Sequence, residues 1–276
     1  MRIAMAQISS GTDPVANLSL VDEKTAQAAS AGADFVVFPE ATMCRFGVPL
    51  GPLAQPLDGP WAQHVSRAAA DHGTTIVAGM FTPADHGRVA NTLLVAHPDG
   101  RRTGYDKIHL YDAFGFRESD TVAAGETAVT VEVDGVRVGL ATCYDIRFPR
   151  LFTTLAADGA EVIVVPASWG AGPGKVGQWQ TLATARALDS TAFVVAVGQA
   201  EPADDGRRSG SAPTGVGHSQ ISDPFGSVVA SYAGPSRLGV HTLDLGLVAT
   251  AREQLAVLAN QREFGSAASP VAAHKP

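Results

Sequence analysis

The sequence is poor in cysteine: its 276 residues carry only Cys44 and Cys143. Two thiols so far apart, without C-x-x-C spacing, make no disulfide framework, and a reducing compartment fits them best. Charge is also sparse, at 17% of residues, with a net charge of −7 and a pI of about 5.6. There is no basic stripe. Arg101-Arg102 and Arg207-Arg208 are isolated pairs in turn-like sequence, which argues against a nucleic-acid partner. No apolar run reaches the roughly 18 residues of a membrane span. The eight histidines show no H-E-x-x-H or related spacing, so no metal site is expected. The glycine-rich stretch 199–217 has neither a Walker pattern nor a G-x-G-x-x-G placement and is given no phosphate role. Where a signal peptide would carry its apolar segment, Arg2 to Ile8 reads as a strand, and the expectation is a cytoplasmic protein.

What is present is 45% hydrophobic and patterned as strands alternating with helices. Asp13-Pro14 opens a helix that runs to about Ala31, and Gly59-Pro60 opens a second that ends near His72-Gly73. Strands are expected at 34–38, 74–79, 89–96 and 102–106, the last continuing extended through Lys107-Ile108-His109-Leu110. Val129, Val131 and Val133 alternate into Asp134-Gly135, a hairpin turn signal. Later come a helix from Phe148 to about Asp158, strands at 161–165 and 192–197, and a helix from Gln178 to Ser190. Strands near 218–221, 227–232 and 240–245 and a helix from Leu247 to Gln261 complete the pattern. Hairpins mixed with the alternation favour a layered α/β sandwich over a plain doubly wound sheet. No linker or repeat divides residues 1–264, which read as one domain, and the Ala/Ser/Pro-rich residues 265–276 read as a mobile tail.

Three residues stand just after strands. Cys143 follows the alternating run Val136 to Thr142, with Pro149 placed for the first turn of a helix. A thiol at such a junction sits in a field that favours thiolate, and its neighbours are Tyr144, Asp145 and Arg147 rather than an apolar run. Read alone, Cys143 is either a reactive thiol or a small buried hydrophobe. Glu40 follows a short apolar strand and is either a solvated loop carboxylate or a functional one. Lys107, read alone, is a solvated lysine. The patternless segment from Tyr111 to Ala124, with Glu118, is long enough to be a functional loop.

Taken together, Phe38-Pro39-Glu40, Tyr105 to Leu110 and Cys143 to Pro149 resemble, in content and order, the nitrilase or carbon–nitrogen hydrolase superfamily. The resemblance covers about residues 1–264 and implies a four-layer αββα sandwich. It also implies that Glu40 is a general base, Lys107 a cationic stabiliser and Cys143 the nucleophile of an amidase. Glu118 matches a second glutamate placed beside the lysine. Such a site works through a cysteine thioester and requires no metal or cofactor. The backbone N–H of Tyr144 would join Lys107 in holding the oxyanion. Arg147, four residues after the nucleophile, would reach a substrate carboxylate or pair with Asp145. Trp169 would wall the pocket or pack in the core, and Phe46 and Phe114 would cap it. Cys44 has no assigned role, and His109 reads as structural.

The segment Leu110 to Ser119 is most similar to the deaminated-glutathione amidase branch, whose substrate, like the 2-oxoglutaramate of the ω-amidases, carries a 2-oxo acid carboxylate. A nitrilase or N-carbamoyl amide hydrolase would use the same residues, and a catalytically silent binding protein is the reading from another class. The family's habit of pairing subunits implies a homodimer.

Overall fold

The computed structural model of the chain describes residues 1–202, 212–262 and 264. The tail at 265–276 and the middle of the loop at 199–217 therefore lie outside the described residues. In chain order the strands are β1 (Arg2–Gln7), β2 (Phe35–Val37), β3 (Thr75–Pro83), β4 (Val89–Ala96), β5 (Arg102–Asp106), β6 (Asp112–Ala113), β7 (Phe116–Arg117) and β8 (Val122–Ala123). They continue with β9 (Val129–Val133), β10 (Val136–Leu140), β11 (Val162–Ala167), β12 (Phe193–Gly198), β13 (Gln220–Ser222), β14 (Val228–Ser231) and β15 (Arg237–Thr242). The helices are α1 (Pro14–Ser30), α2 (Pro60–His72), α3 (Pro149–Ala157), α4 (Lys175–Ser190) and α5 (Gly246–Leu255).

These strands build two large sheets. One runs β15-β1-β2-β3-β4-β5, with β8 added beside β4, and the other runs β14-β13-β12-β11-β10-β9. Side-chain alternation shows how they stack. On β1, Ile3 and Met5 face the core shared with the second sheet, while Ala4 and Ala6 join a cluster with Val21 of α1 and Trp61 and Val65 of α2. On β11, Val162 and Val164 face the shared core, while Ile163 and Val165 pack with Phe152 of α3 and Trp179 of α4. A period of two that buries both faces of each sheet, one on a sheet and one on helices, is the αββα sandwich. Each fully buried aliphatic side chain stabilises this stack by about 1.5–3 kcal/mol.

Local chemistry sets the boundaries. The Asp13 carboxylate accepts the backbone N–H of Val15 at 2.9 Å and caps α1, with Pro14 behind it. Asp134 and Gly135 both adopt positive φ, 48° and 78°, and close the β9–β10 hairpin with Val133 opposite Val136.

Residues 111–124 form the expected structured loop, folded as the β6–β7 hairpin, a 3-10 turn at Glu118–Asp120 and β8. Three expectations need correction. The strand at 102–106 does not continue through Lys107-Leu110: Lys107 N still bonds the Asn91 carbonyl of β4, but the Lys107 carbonyl turns away to accept from Gly125 N. Helix α4 starts at Lys175, three residues before the expected Gln178. Helix α5 stops at Leu255, well short of Gln261, where Ala256 turns left-handed at φ 49°. Among the described residues, no helix is long and apolar enough to cross a membrane.

Candidate active site

The site forms where chain leaves the carboxyl ends of both sheets. Glu40 follows β2, Lys107 follows β5, Cys143 follows β10, and Ser168 and Trp169 follow β11. Glu40, Lys107, Glu118 and Cys143 line one narrow cleft with Phe46, Tyr111, Phe116, Ser168, Trp169 and Lys175 among its other walls.

Glu40 is fully buried, so each of its oxygens has a partner. Oε1 accepts from Lys107 Nζ at 2.9 Å and from Asn91 Nδ2 at 2.7 Å, and Oε2 accepts the backbone N–H of Ser168 at 2.7 Å. Lys107 Nζ also donates to Glu118 Oε2 at 2.8 Å, while Asn91 Nδ2 bridges to Glu118 Oε1 at 2.9 Å. One ammonium therefore lies between two carboxylates, and one amide ties the same two from the other side. Burial works to lower the Lys107 pKa, but Glu118 and then Glu40 outweigh it, and the ammonium is held well above its ordinary value. Lys107 is a fixed cation.

The turn that carries Glu40 is pressed against β3. A side chain on Gly79 would place its Cβ 2.5 Å from Ala41 N and 2.9 Å from Glu40 C, so only glycine allows this approach. Behind the turn, Gln199 Nε2 donates to the Glu40 carbonyl at 3.0 Å.

Cys143 opens a 3-10 turn, Cys143–Arg147, and adopts a φ of 47°, a strained conformation for a residue with a side chain. Its thiol donates to the Ser168 carbonyl at 3.9 Å and lines the same cleft as Glu40. The expected thiolate-favouring field is overruled. Burial pushes the thiol well above its ordinary pKa, the Glu40 carboxylate adds to the rise, and Lys107 opposes both. At rest Cys143 is a protonated thiol beside a carboxylate.

Asp145 holds the turn. Its Oδ1 accepts from His109 Nδ1 at 2.7 Å and His109 N at 2.9 Å, and its Oδ2 accepts from Tyr105 at 2.7 Å and Thr142 N at 2.8 Å. Asp145 is thus not the partner of Arg147. The Arg147 guanidinium instead donates to Gln178 Oε1 at 2.7 Å and stacks 5.1 Å from the Trp169 ring. Arg147 and Tyr144 flank the cleft without lining it, whereas Trp169 lines it and packs on Trp179 at 5.2 Å. Phe46 also lines the cleft, and Phe114 borders the outer basin beside it. Cys44 packs with Ala41, Phe46 and Phe81, where burial raises its pKa, and it does not line the cleft.

The model of the carbon–nitrogen hydrolase family matches residues 2–253. The chain belongs to that family. It is a cysteine-dependent carbon–nitrogen hydrolase of the Nit-type amidase group. It is 57% identical over 270 residues to a Mycobacterium tuberculosis protein named as a hydrolase, covering 96% of each chain. It is 37% identical over 250 residues to the deaminated glutathione amidase of Escherichia coli O157:H7, covering 89% of this chain and 91% of that one. Among solved structures, a CN-hydrolase superfamily protein from Xanthomonas campestris matches with a TM-score of 0.83 and 26% identity, over 97% of this chain and 99% of that one.

Sequence reasoning missed Asn91, Ser168, Asp145 and Lys175. Asn91 had a signal, a polar side chain inside the otherwise apolar β4. The Ser168 contribution is a backbone N–H and has none.

Proposed function

We propose that the protein is an amidase for small carboxylated amides, with deaminated glutathione as its substrate, which it splits into 2-oxoglutarate and cysteinylglycine. The observation that carries this reading is the buried Glu40–Lys107–Glu118 network placed against the Cys143 thiol. A nucleophile, a base and a fixed cation meet there in one cleft.

The chemistry follows from protonation states. Glu40 takes the thiol proton as Sγ attacks the amide carbonyl carbon. Negative charge that develops on the carbonyl oxygen faces the Lys107 ammonium and the Tyr144 N–H. The collapsing adduct breaks its C–N bond, and protonated Glu40 gives its proton to the leaving nitrogen. The acyl group remains as a thioester on Cys143. Glu40 then takes a proton from water, hydroxide attacks the thioester carbonyl, and the acid leaves as the thiol is restored. Glu118 keeps Lys107 in place throughout, Trp169 walls the acyl group, and Arg147, beside the cleft on Trp169, adds positive charge on the side that a substrate carboxylate approaches.

An outer basin favours deaminated glutathione over 2-oxoglutaramate. It shares Tyr111, Gly170 and Lys175 with the inner cleft, which leaves room for a leaving group larger than ammonia. Mass spectrometry of wild type and Cys143→Ala with each substrate tests the proposal. Cysteinylglycine release by wild type alone, faster than ammonia release from 2-oxoglutaramate, is the expected result. Faster ammonia release reassigns the enzyme to the ω-amidases.

A further inference from the structure

Two lysines line the cleft, and they are provided for in opposite ways. Lys107 has two carboxylates. Lys175 is 6% exposed and, among the described residues, has no carboxylate within ion-pair distance. Its ammonium donates to the Tyr111 hydroxyl at 3.3 Å and lies 3.4 Å from the centre of the Phe114 ring and 5.7 Å from that of Trp169. Aromatic faces attract a cation but do not neutralise it. A buried ammonium without a counter-charge is unfavourable.

Its position adds to the imbalance. Lys175 is the first residue of α4, whose first turn holds no acidic side chain and whose N-cap, Gly174, offers no side-chain oxygen. A cation there faces the positive end of the helix dipole, where an anion is favoured. Burial first, and then the nearby Arg147, lower the Lys175 pKa, with Cys143 opposing them. Lys175 also lines both the inner cleft and the outer basin, so it stands at the neck between them.

We propose that Lys175, with the Tyr111 hydroxyl, seats a substrate carboxylate at this neck and selects acidic amides over neutral ones. The substrate carboxylate supplies the counter-charge that no described residue provides. This specificity role rests on the amidase reading. The carboxylate comes from the acyl half or from the leaving amine, and both place the same chemistry on Lys175.

The full chain tests this as wild type, Lys175→Met, Lys175→Arg and Cys143→Ala. Calorimetry with glutarate reads the seat without turnover. Wild type and Cys143→Ala are expected to bind it, Lys175→Met to bind it at least about tenfold more weakly, and Lys175→Arg to recover part of the loss. Steady-state kinetics then compare amides acidic on the acyl side, acidic on the amine side, and neutral. In Lys175→Met, a rise in KM confined to one acidic class supports the proposal and identifies which half carries the anchored group. Equal losses on acidic and neutral amides overturn it, as does glutarate binding unchanged in Lys175→Met. Glutarate binding through Lys175 in a wild type that hydrolyses none of the amides would leave the carboxylate seat standing and overturn the amidase reading alone.

Discussion

The Asp145 carboxylate and the His109 imidazole meet at 2.7 Å, joining the turn that carries Cys143 to the loop that carries Lys107. Asp145 is fully buried and takes all its donors as a carboxylate. Asn at this position offers one acceptor oxygen and places an NH₂ group against donors. Asp145→Asn is therefore expected to lose about 1–3 kcal/mol of stability, with kcat reduced as the nucleophile shifts against its base. Urea denaturation and steady-state kinetics check this. An unchanged midpoint would mean that the two loops hold together without Asp145.

Lys107→Met should leave Glu40 and Glu118 facing each other through Asn91 without a cation. Losing one partner of a buried ion network is worth about 3–5 kcal/mol. The variant leaves two buried carboxylates with no cation between them. Urea midpoints of variant and wild type at pH 7 check the loss, and equal midpoints would mean that the network holds without Lys107.

Gly79→Ala concerns backbone alone. The added Cβ would sit 2.5 Å from Ala41 N and 2.9 Å from Glu40 Cα, atoms with no rotamer to yield. Overpacking of this kind destabilises by about 1–3 kcal/mol. Here the relief moves Glu40 away from Cys143, so kcat should fall more than the stability loss accounts for. Single-turnover kinetics at a temperature where the variant is fully folded separate the two effects. Normal single-turnover rates would show that the turn tolerates displacement.

The legibility of the site divides along physical lines. Glu40, Lys107 and Cys143 became legible together, through the family resemblance of the three motifs that carry them; read alone, Lys107 after the polar run Arg102–Asp106 looks like a solvated lysine. The layered sandwich was readable because hairpins interrupt the strand–helix alternation, and its four layers came with the family resemblance. Contacts across the chain were not readable. Asp145 looked like a neighbour for Arg147 two residues on, but its donors come from Tyr105 and His109, 40 and 36 residues away. Lys175 lay in apparent loop sequence because Gly172 and Gly174, at φ 145° and 70°, mask the start of α4. The thiolate expectation failed because a local helix-end field is weaker than burial beside a carboxylate, and burial is a property of the packed molecule.

Glu40→Gln separates charge from position at the nucleophile. Burial raises the Cys143 pKa, the Glu40 carboxylate raises it further, and Lys107 lowers it. Removing the Glu40 charge leaves Lys107 less opposed, so the thiol pKa falls and more thiolate exists at a given pH. Labelling of Cys143 by iodoacetamide, followed between pH 6 and 9 by peptide mass spectrometry that resolves Cys44, should therefore be faster in Glu40→Gln than in wild type. Turnover should move the other way and fall by roughly 10²-fold or more, because no base remains to carry the proton to the leaving nitrogen. Opposite signs in the two measurements are the signature of a base that suppresses the resting thiolate and delivers its proton only during reaction. If labelling and turnover fall together, Glu40 serves Cys143 by holding it in place, and the proton must travel by another group.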